Sequence, residues 1–346
     1  MIVNNTPYAV DEAVLTDAQG REVYVAVVKA SFHWRADGTL EPLAEAAPIV
    51  VGDLYGGPPE SSGLVFANEV TLAKPKVDVL VAGEIVPRAA SEALECSLEV
   101  GTQIRKTLRV FGDRYWSPGV LHPIVPSRAK PFSRMPIAWA RSFGGTDPDD
   151  PSVVDRRNPV GRGVRKRASA LKGLPAPNFE DPRAPISNPT KRPIPVGFGP
   201  IAPHWQPRSD LAGTYDEAWK NDRYPLLPLD FDPRFLNVAP ADQQLDRYEP
   251  GSEVRLTDFT PARRERFRLP EFAPLLTVVD APTIVEVACA VDTIVLEPAL
   301  ARVSIVARAS YVPRDVAALT TAFAGPLSRG QRRALKAGKP YLRLRA

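Results

Sequence analysis

Leu94-Glu95-Cys96-Ser97-Leu98-Glu99-Val100, then Gly101-Thr102-Gln103, then Ile104-Arg105-Lys106-Thr107-Leu108-Arg109-Val110 is the stretch that sets the fold class. Leu94, Cys96, Leu98 and Val100 alternate with Glu95, Ser97 and Glu99. Beyond the glycine-led break, Ile104, Leu108 and Val110 resume the same period. Successive side chains of a strand point to opposite faces, so period two on both sides of a short turn predicts a β-hairpin with one buried face.

Strand patterns continue on either side of this hairpin. Upstream, Val23, Val25 and Val27 alternate with Tyr24, Ala26 and Val28, and Phe32 and Trp34 follow. Both faces are apolar there, which predicts a central strand covered on both sides. Lys76 to Val86 (KVDVLVAGEIV) reads as another strand. Downstream, Thr283 to Ala290 and Thr293 to Glu297 are β-rich. Pro298-Ala299-Leu300-Ala301 is a turn, and Arg302 to Tyr311 is the return strand. Asp315 to Ala324 and Ser328 to Ala337, split by Gly325-Pro326, have helical composition.

The prolines fall between these β-rich ends. Residues 1–117 hold 7, residues 118–240 hold 22 and residues 241–346 hold 9. Proline lacks the backbone donor and disfavours a helical residue before it, so the middle third contains neither long helices nor central strands. It is nevertheless rich in rings, among them Phe132, Trp139, Phe143, Phe198, Trp205, Tyr215, Trp219, Tyr224, Phe231 and Phe235. Such a segment packs as ordered loop over a core rather than serving as a free linker. The expected architecture is mainly β: an antiparallel, sandwich-like body, a proline-rich ordered middle and short C-terminal helices. Residues 1–310 form one β-rich domain (1–117 β-rich, 118–240 packed loop, 241–310 β-rich), and 311–346 form a helical tail.

The 346 residues carry a net charge of +4, too mild to indicate nucleic acid by itself. Three histidines and two cysteines exclude a Cys/His zinc site, an iron–sulfur cluster and a disulfide scaffold, so no cofactor is expected. Cys96 and Cys289 sit in apolar alternation and read as buried thiols. The N-terminus has neither a basic nor an apolar signal region, and no run reaches 18 apolar residues. Together these predict a soluble, cytoplasmic protein without a membrane partner.

Few residues suggest chemistry. His33 lies within a strand, and His122 and His204 lie in loop. Ser61-Ser62-Gly63 reads as a turn, and no nucleophile elbow is present. Asp230 and Asp232 flank Phe231; on extended chain they point the same way and can share a hard cation or act as an acid/base pair, which would make a metal-dependent hydrolase. Against this stands the use of both as caps of local backbone or partners of Arg234 and Arg223. Arg156, Arg157, Arg162, Arg165, Lys166, Arg167 and Lys172 form a basic run within 156–172. It suits a solvated loop or an acidic protein partner better than nucleic acid, because aromatic interleaving is absent from it.

Gly213 to Gln244 (GTYDEAWKNDRYPLLPLDFDPRFLNVAPADQQ) resembles the core signature of the bacterial domain-of-unknown-function family 2169. Other matching segments keep the family's order. They include Asn5-Thr6-Pro7, Val28-Lys29-Ala30, Gly52-Asp53-Leu54-Tyr55, Lys74-Pro75-Lys76-Val77-Asp78-Val79, Val110 to Trp116, Met135-Pro136-Ile137, Ser142-Phe143-Gly144-Gly145, Asn158-Pro159-Val160-Gly161, Pro195 to Ile201, and Trp205 with Pro207-Arg208. The resemblance covers roughly residues 1–310. It departs at Ala307-Arg308-Ala309, where the family often has an aromatic-Arg-Gly ending.

The resemblance implies an accessory protein of type VI secretion: a non-enzymatic adaptor or chaperone that helps a secreted effector or PAAR-type tip protein load onto the valine-glycine-repeat spike. It carries no catalytic residues over. Aromatic and Arg side chains are the usual interface anchors, so Trp205, Arg208, Tyr215, Trp219 and Arg234 are the candidates for partner contact. The alternative is that these groups pack internally against the coil.

Overall fold

The computed structural model describes residues 2–119 and 124–339. Ala93–Val100 and Ile104–Phe111 form the expected hairpin, paired from Ile104 opposite Val100 to Phe111 opposite Ala93. Cys96, Leu98, Val100, Ile104, Leu108 and Val110 all turn to the core. Lys106 occupies the same inward row; its ammonium meets the Asp242 carboxylate at 2.8 Å and lies over the Phe198 ring. This hairpin is the centre of a five-stranded sheet ordered Phe179–Glu180, Ile104–Phe111, Ala93–Val100, Glu253–Thr257, Arg264–Arg268.

A seven-stranded sheet lies against it. Its order is Gln244–Leu245, Val77–Val81, Ala290–Glu297, Arg302–Tyr311, Glu22–Trp34 and Ala9–Thr16, with Leu40–Pro42 also pairing to Glu22–Trp34. The strand read from Lys76 to Val86 is thus broken: Val77–Val81 ends before Gly83, and Glu84–Ile85 pairs separately with Met135–Pro136.

The long strand Glu22–Trp34 is buried on both faces for a specific reason. Tyr24, Ala26, Val28, Ala30 and Phe32 join the main core, together with Leu98, Leu108, Leu256, Ile294 and Ile305. Val23, Val25 and Val27 enter a second cluster with Val306, closed over by Leu15, Ile49, Val70 and Leu72. The irregular chain around residues 49–72 therefore covers the outer face of the sheet. Along that face the buried charges are paired: Lys29 with Glu69 at 2.7 Å, Lys74 with Asp78 at 2.8 Å, and Arg308 with Asp292. Arg308, at the point where the family resemblance departs, also donates to the Glu69 carbonyl.

The smallest of the three main sheets runs Ile2–Asn4, Leu319–Ala324, Leu275–Asp280, Thr283–Ala288. Here the sequence expectation is corrected. Asp315 to Ala324 is not a helix; it is a short 3₁₀ turn, Val316–Ala318, followed by the strand Leu319–Ala324. Ala322, Phe323 and Ala324 are buried, with Phe323 opposite Thr277. Pairing with Leu275–Asp280 and burial of these residues override helical composition. The second expected helix is present as Arg329–Lys336, with Ser328 and Gln331 forming a capping box. Residues 311–339, the described part of the expected 311–346 tail, are thus part strand, part helix.

Among its described residues the middle third contains 3₁₀ turns, two-residue strands, one five-residue strand, Asp150–Val154, and one six-residue helix, Glu217–Asp222. It is joined to the central sheet by Asp78. That buried carboxylate accepts hydrogen bonds from the Asn237 side chain (3.0 Å), the Val238 N–H (2.9 Å), the Ala239 N–H (3.1 Å) and the Lys74 ammonium (2.8 Å). Among the described residues no helix is long and apolar enough to cross a membrane. Cys96 and Cys289 are buried free thiols, and burial pushes the Cys289 pKa up to about 12.

Candidate functional site: a clamped aromatic platform

The signature segment leaves the body at residue 213 and returns near residue 232, and its neck is tied. The Asp230 carboxylate accepts from the Thr214 N–H (2.9 Å) and hydroxyl (2.7 Å), and the Asp232 N–H donates to the Leu211 carbonyl (3.0 Å). Gly213 sits at φ +86°, with the Pro228 Cβ only 2.7 Å from where a side chain would begin. Only glycine meets both conditions without strain.

Beyond the neck, Asp216 caps the helix through the Trp219 N–H (2.8 Å). The Trp219 indole donates to the Leu226 carbonyl (2.8 Å), which folds the segment back on itself. Arg223 braces the segment through its Nε, which donates to the Leu227 carbonyl (2.7 Å), and fastens it to the body through an Nη that donates to the Ala18 carbonyl, in the first hairpin turn of the chain, between Ala9–Thr16 and Glu22–Trp34. The Leu226 side chain rests against Gly20 of that turn.

The result is a fixed loop with its apolar groups outward. Tyr215 stands edge-on to Trp219 at 4.7 Å, and Trp219 edge-on to Tyr224 at 5.6 Å. Tyr215, Tyr224 and Leu229 are 53%, 69% and 85% exposed. Exposed apolar groups on a backbone held at several points can bury area against a partner at small ordering cost.

Trp205 and Arg208 prove to be internal. Trp205 is fully buried, perpendicular to Trp139 at 6.4 Å, and its indole donates to the His204 Nε2 (2.9 Å). Arg208 is buried and donates to the Ile201 carbonyl (2.6 Å) and the Phe235 carbonyl (3.0 Å). Ring number gave no means of separating these from Tyr215 and Trp219. Arg234 is exposed and forms a fork with Asp232, which also caps the Arg234 N–H (2.9 Å). The structure thus groups Tyr215 and Trp219 in one platform, places Arg234 near its neck, and assigns Trp205 and Arg208 to the packing beneath.

Asp230 and Asp232 do not converge. Each carboxylate is held below the usual range by its own local partner: Asp230 by the Thr214 N–H and hydroxyl, Asp232 by the side chain and N–H of Arg234. Among the described residues no three His, Cys, Asp or Glu side chains are placed to hold a metal ion. In the basic run, Arg157 grips Asp155, Arg162 donates to Asn178, Arg165 to the Thr146 and Val164 carbonyls, and Lys166 to Asp150. The His33 Nδ1 lies 2.8 Å from the Trp34 carbonyl oxygen, and the Ser62 hydroxyl donates to the Pro58 carbonyl. His122 lies outside the described residues. Tyr224 and Leu229 carried no periodic signal in the sequence; proline at 225 and 228 marks turns there without saying which way the neighbours face.

Fold and site together define a β-rich scaffold that presents a rigid aromatic loop. Residues 19–308 match the family model described as "Uncharacterized protein conserved in bacteria (DUF2169)", and the chain belongs to that family. Comparison with curated proteins and with solved structures returned no match.

Proposed function

We propose that this protein is a non-enzymatic adaptor that grips another polypeptide through the Tyr215–Trp219–Tyr224 platform. The cargo is a type VI effector or PAAR-type tip protein awaiting the valine-glycine-repeat spike. The observation that carries the polypeptide-binding reading is the exposure of Tyr215, Tyr224 and Leu229 on a loop tied at its neck and to the first hairpin. Soluble proteins rarely leave such groups outward on rigid chain without a partner to cover them. The secretion context rests on the family resemblance alone.

The test is co-purification with the effector or tip protein encoded beside it, at low and moderate salt. Association with the native chain is expected, together with at least a ten-fold loss for the double variant Tyr224→Ala, Leu229→Asp. No association at either salt concentration overturns the cargo assignment. Association that the double variant leaves intact removes the platform as the contact.

A further inference from the structure

Among the described residues six basic side chains are buried: Lys29, Lys74, Lys106, Arg114, Arg208 and Arg308. Five of them face a carboxylate: Lys29 faces Glu69, Lys74 Asp78, Lys106 Asp242, Arg114 Glu180 and Arg308 Asp292. Arg208 is the exception; among the described residues no carboxylate oxygen lies within 4.0 Å of its guanidinium. Its protein acceptors are two main-chain carbonyls, of Ile201 and Phe235, and its guanidinium lies 4.8 Å from the Phe235 ring centroid. The second Nη has no acceptor among the described residues. It is not one of the enclosed unpartnered atoms, so it meets solvent.

Arg208 lines a cleft of about 320 Å³ with Asn68, Thr71, Pro203, Phe235 and Leu236. Asp53 lines the same cleft and is the largest charge partner felt by Arg208. Its Oδ1 accepts from the Asn68 N–H at 2.8 Å, and Asp78 also acts on Arg208 through charge without touching it. A buried cation with no carboxylate in contact is costly, and a planar guanidinium with a free donor matches a carboxylate.

We propose that this cleft is a carboxylate-binding site, in which Arg208 supplies the counter-charge and the Phe235, Leu236 and Pro203 side chains receive an apolar group carried on the acid. The volume is at the small end for ligand sites and suits one residue-sized acid. Asp53 works against the incoming charge and sets the affinity. The site is independent of the aromatic platform and stands or falls without it.

The experiment titrates the full chain with N-acetyl-leucine, N-acetyl-leucinamide, acetate and the α-amide of N-acetylglutamate. Binding is read by calorimetry and by the backbone amide shifts of Asn68, Phe235 and Leu236. N-acetyl-leucine is expected to bind saturably and shift those amides, and its amide is not. A preference for N-acetyl-leucine assigns the ligand as a chain-terminal carboxylate, a preference for the glutamate derivative assigns a side-chain carboxylate, and a preference for acetate assigns a free small acid. Asp53→Asn keeps the Asn68 contact and leaves Arg208 untouched, so it should tighten acid binding about three-fold or more. Arg208→Gln should weaken it about ten-fold or more. Equal binding of acid and amide, unmoved amides at about 10 mM of every acid, or an Asp53→Asn variant that binds no tighter overturns the site. Because Asp53→Asn does not disturb the packing of Arg208, that result is decisive even where Arg208→Gln fails to fold.

Discussion

Two stretches of the proline-rich middle, 118–212 and 213–232, both carry aromatic rings, and the rings meet opposite fates. In the first, Trp139 and Trp205 pack perpendicular inside the protein, and the Trp139 indole donates to the Pro200 carbonyl at 2.8 Å. In the second, Tyr215, Trp219 and Tyr224 pack edge-on to one another while Tyr215 and Tyr224 stay open to solvent. The difference is one of closure. The chain near Trp205 lies against the body, so its rings fill the space between coil and sheet. The 213–232 segment closes on itself at the Thr214–Asp230 neck, so its rings find partners within the loop and keep a free face.

This contrast can be tested in order of effect. Trp205→Ala opens a cavity under the coat and should cost about 3–5 kcal/mol in denaturant unfolding; a loss below about 1 kcal/mol would mean the first stretch is loosely packed and no different from the second. Gly213→Ala places a Cβ 2.7 Å from the Pro228 Cβ at a positive φ. It should cost about 1–3 kcal/mol by the same measurement, and it should also disorder the platform, visible as lost chemical-shift dispersion of the Trp219 indole. Tyr224→Ala should cost at most about 1 kcal/mol, because its ring makes one edge contact and is otherwise exposed. Its effect belongs in partner binding, and a large stability loss would show that the platform is core after all.

The smallest effect is with pH. The Asp230 carboxylate is held below its ordinary pKa by the Thr214 N–H and hydroxyl. A depressed folded pKa gives stabilisation that is present above the ordinary value of 3.8 and lost as pH falls through the lower folded value. Hydrogen exchange at the Thr214 amide, corrected for its intrinsic rate, should therefore accelerate below about pH 4. The same correction applied to Ile305, buried in the strand Arg302–Tyr311 opposite Ala30, gives the reference for a site away from the neck. Equal acid sensitivity at both positions would dissolve the distinction between neck and body.

The hairpin Leu94 to Val110 was legible because neighbours in sequence are also neighbours in space, and one wet face leaves a period of two. Arg302–Tyr311 was legible for the same reason, with Pro298–Leu300 as its turn. The strand Leu319–Ala324 was not: its partners are Leu275–Asp280 and Ile2–Asn4, remote in sequence, and its alanines and leucine favour helix locally. Within the site, Tyr215 and Trp219 could be picked out as rings in a signature segment. The contact of Arg223 with Ala18, 205 positions upstream, leaves no trace in local pattern.

The sequence by itself determined a β-rich body with a proline-stiffened, ring-bearing coat, because strand alternation and the missing proline donor act on adjacent residues. Tertiary structure alone decided which rings are buried, which acids cap their own backbone and which buried cation lacks a carboxylate. Those outcomes depend on long-range closure of the chain, where a side chain's surroundings are supplied by residues it cannot meet until the sheets have formed.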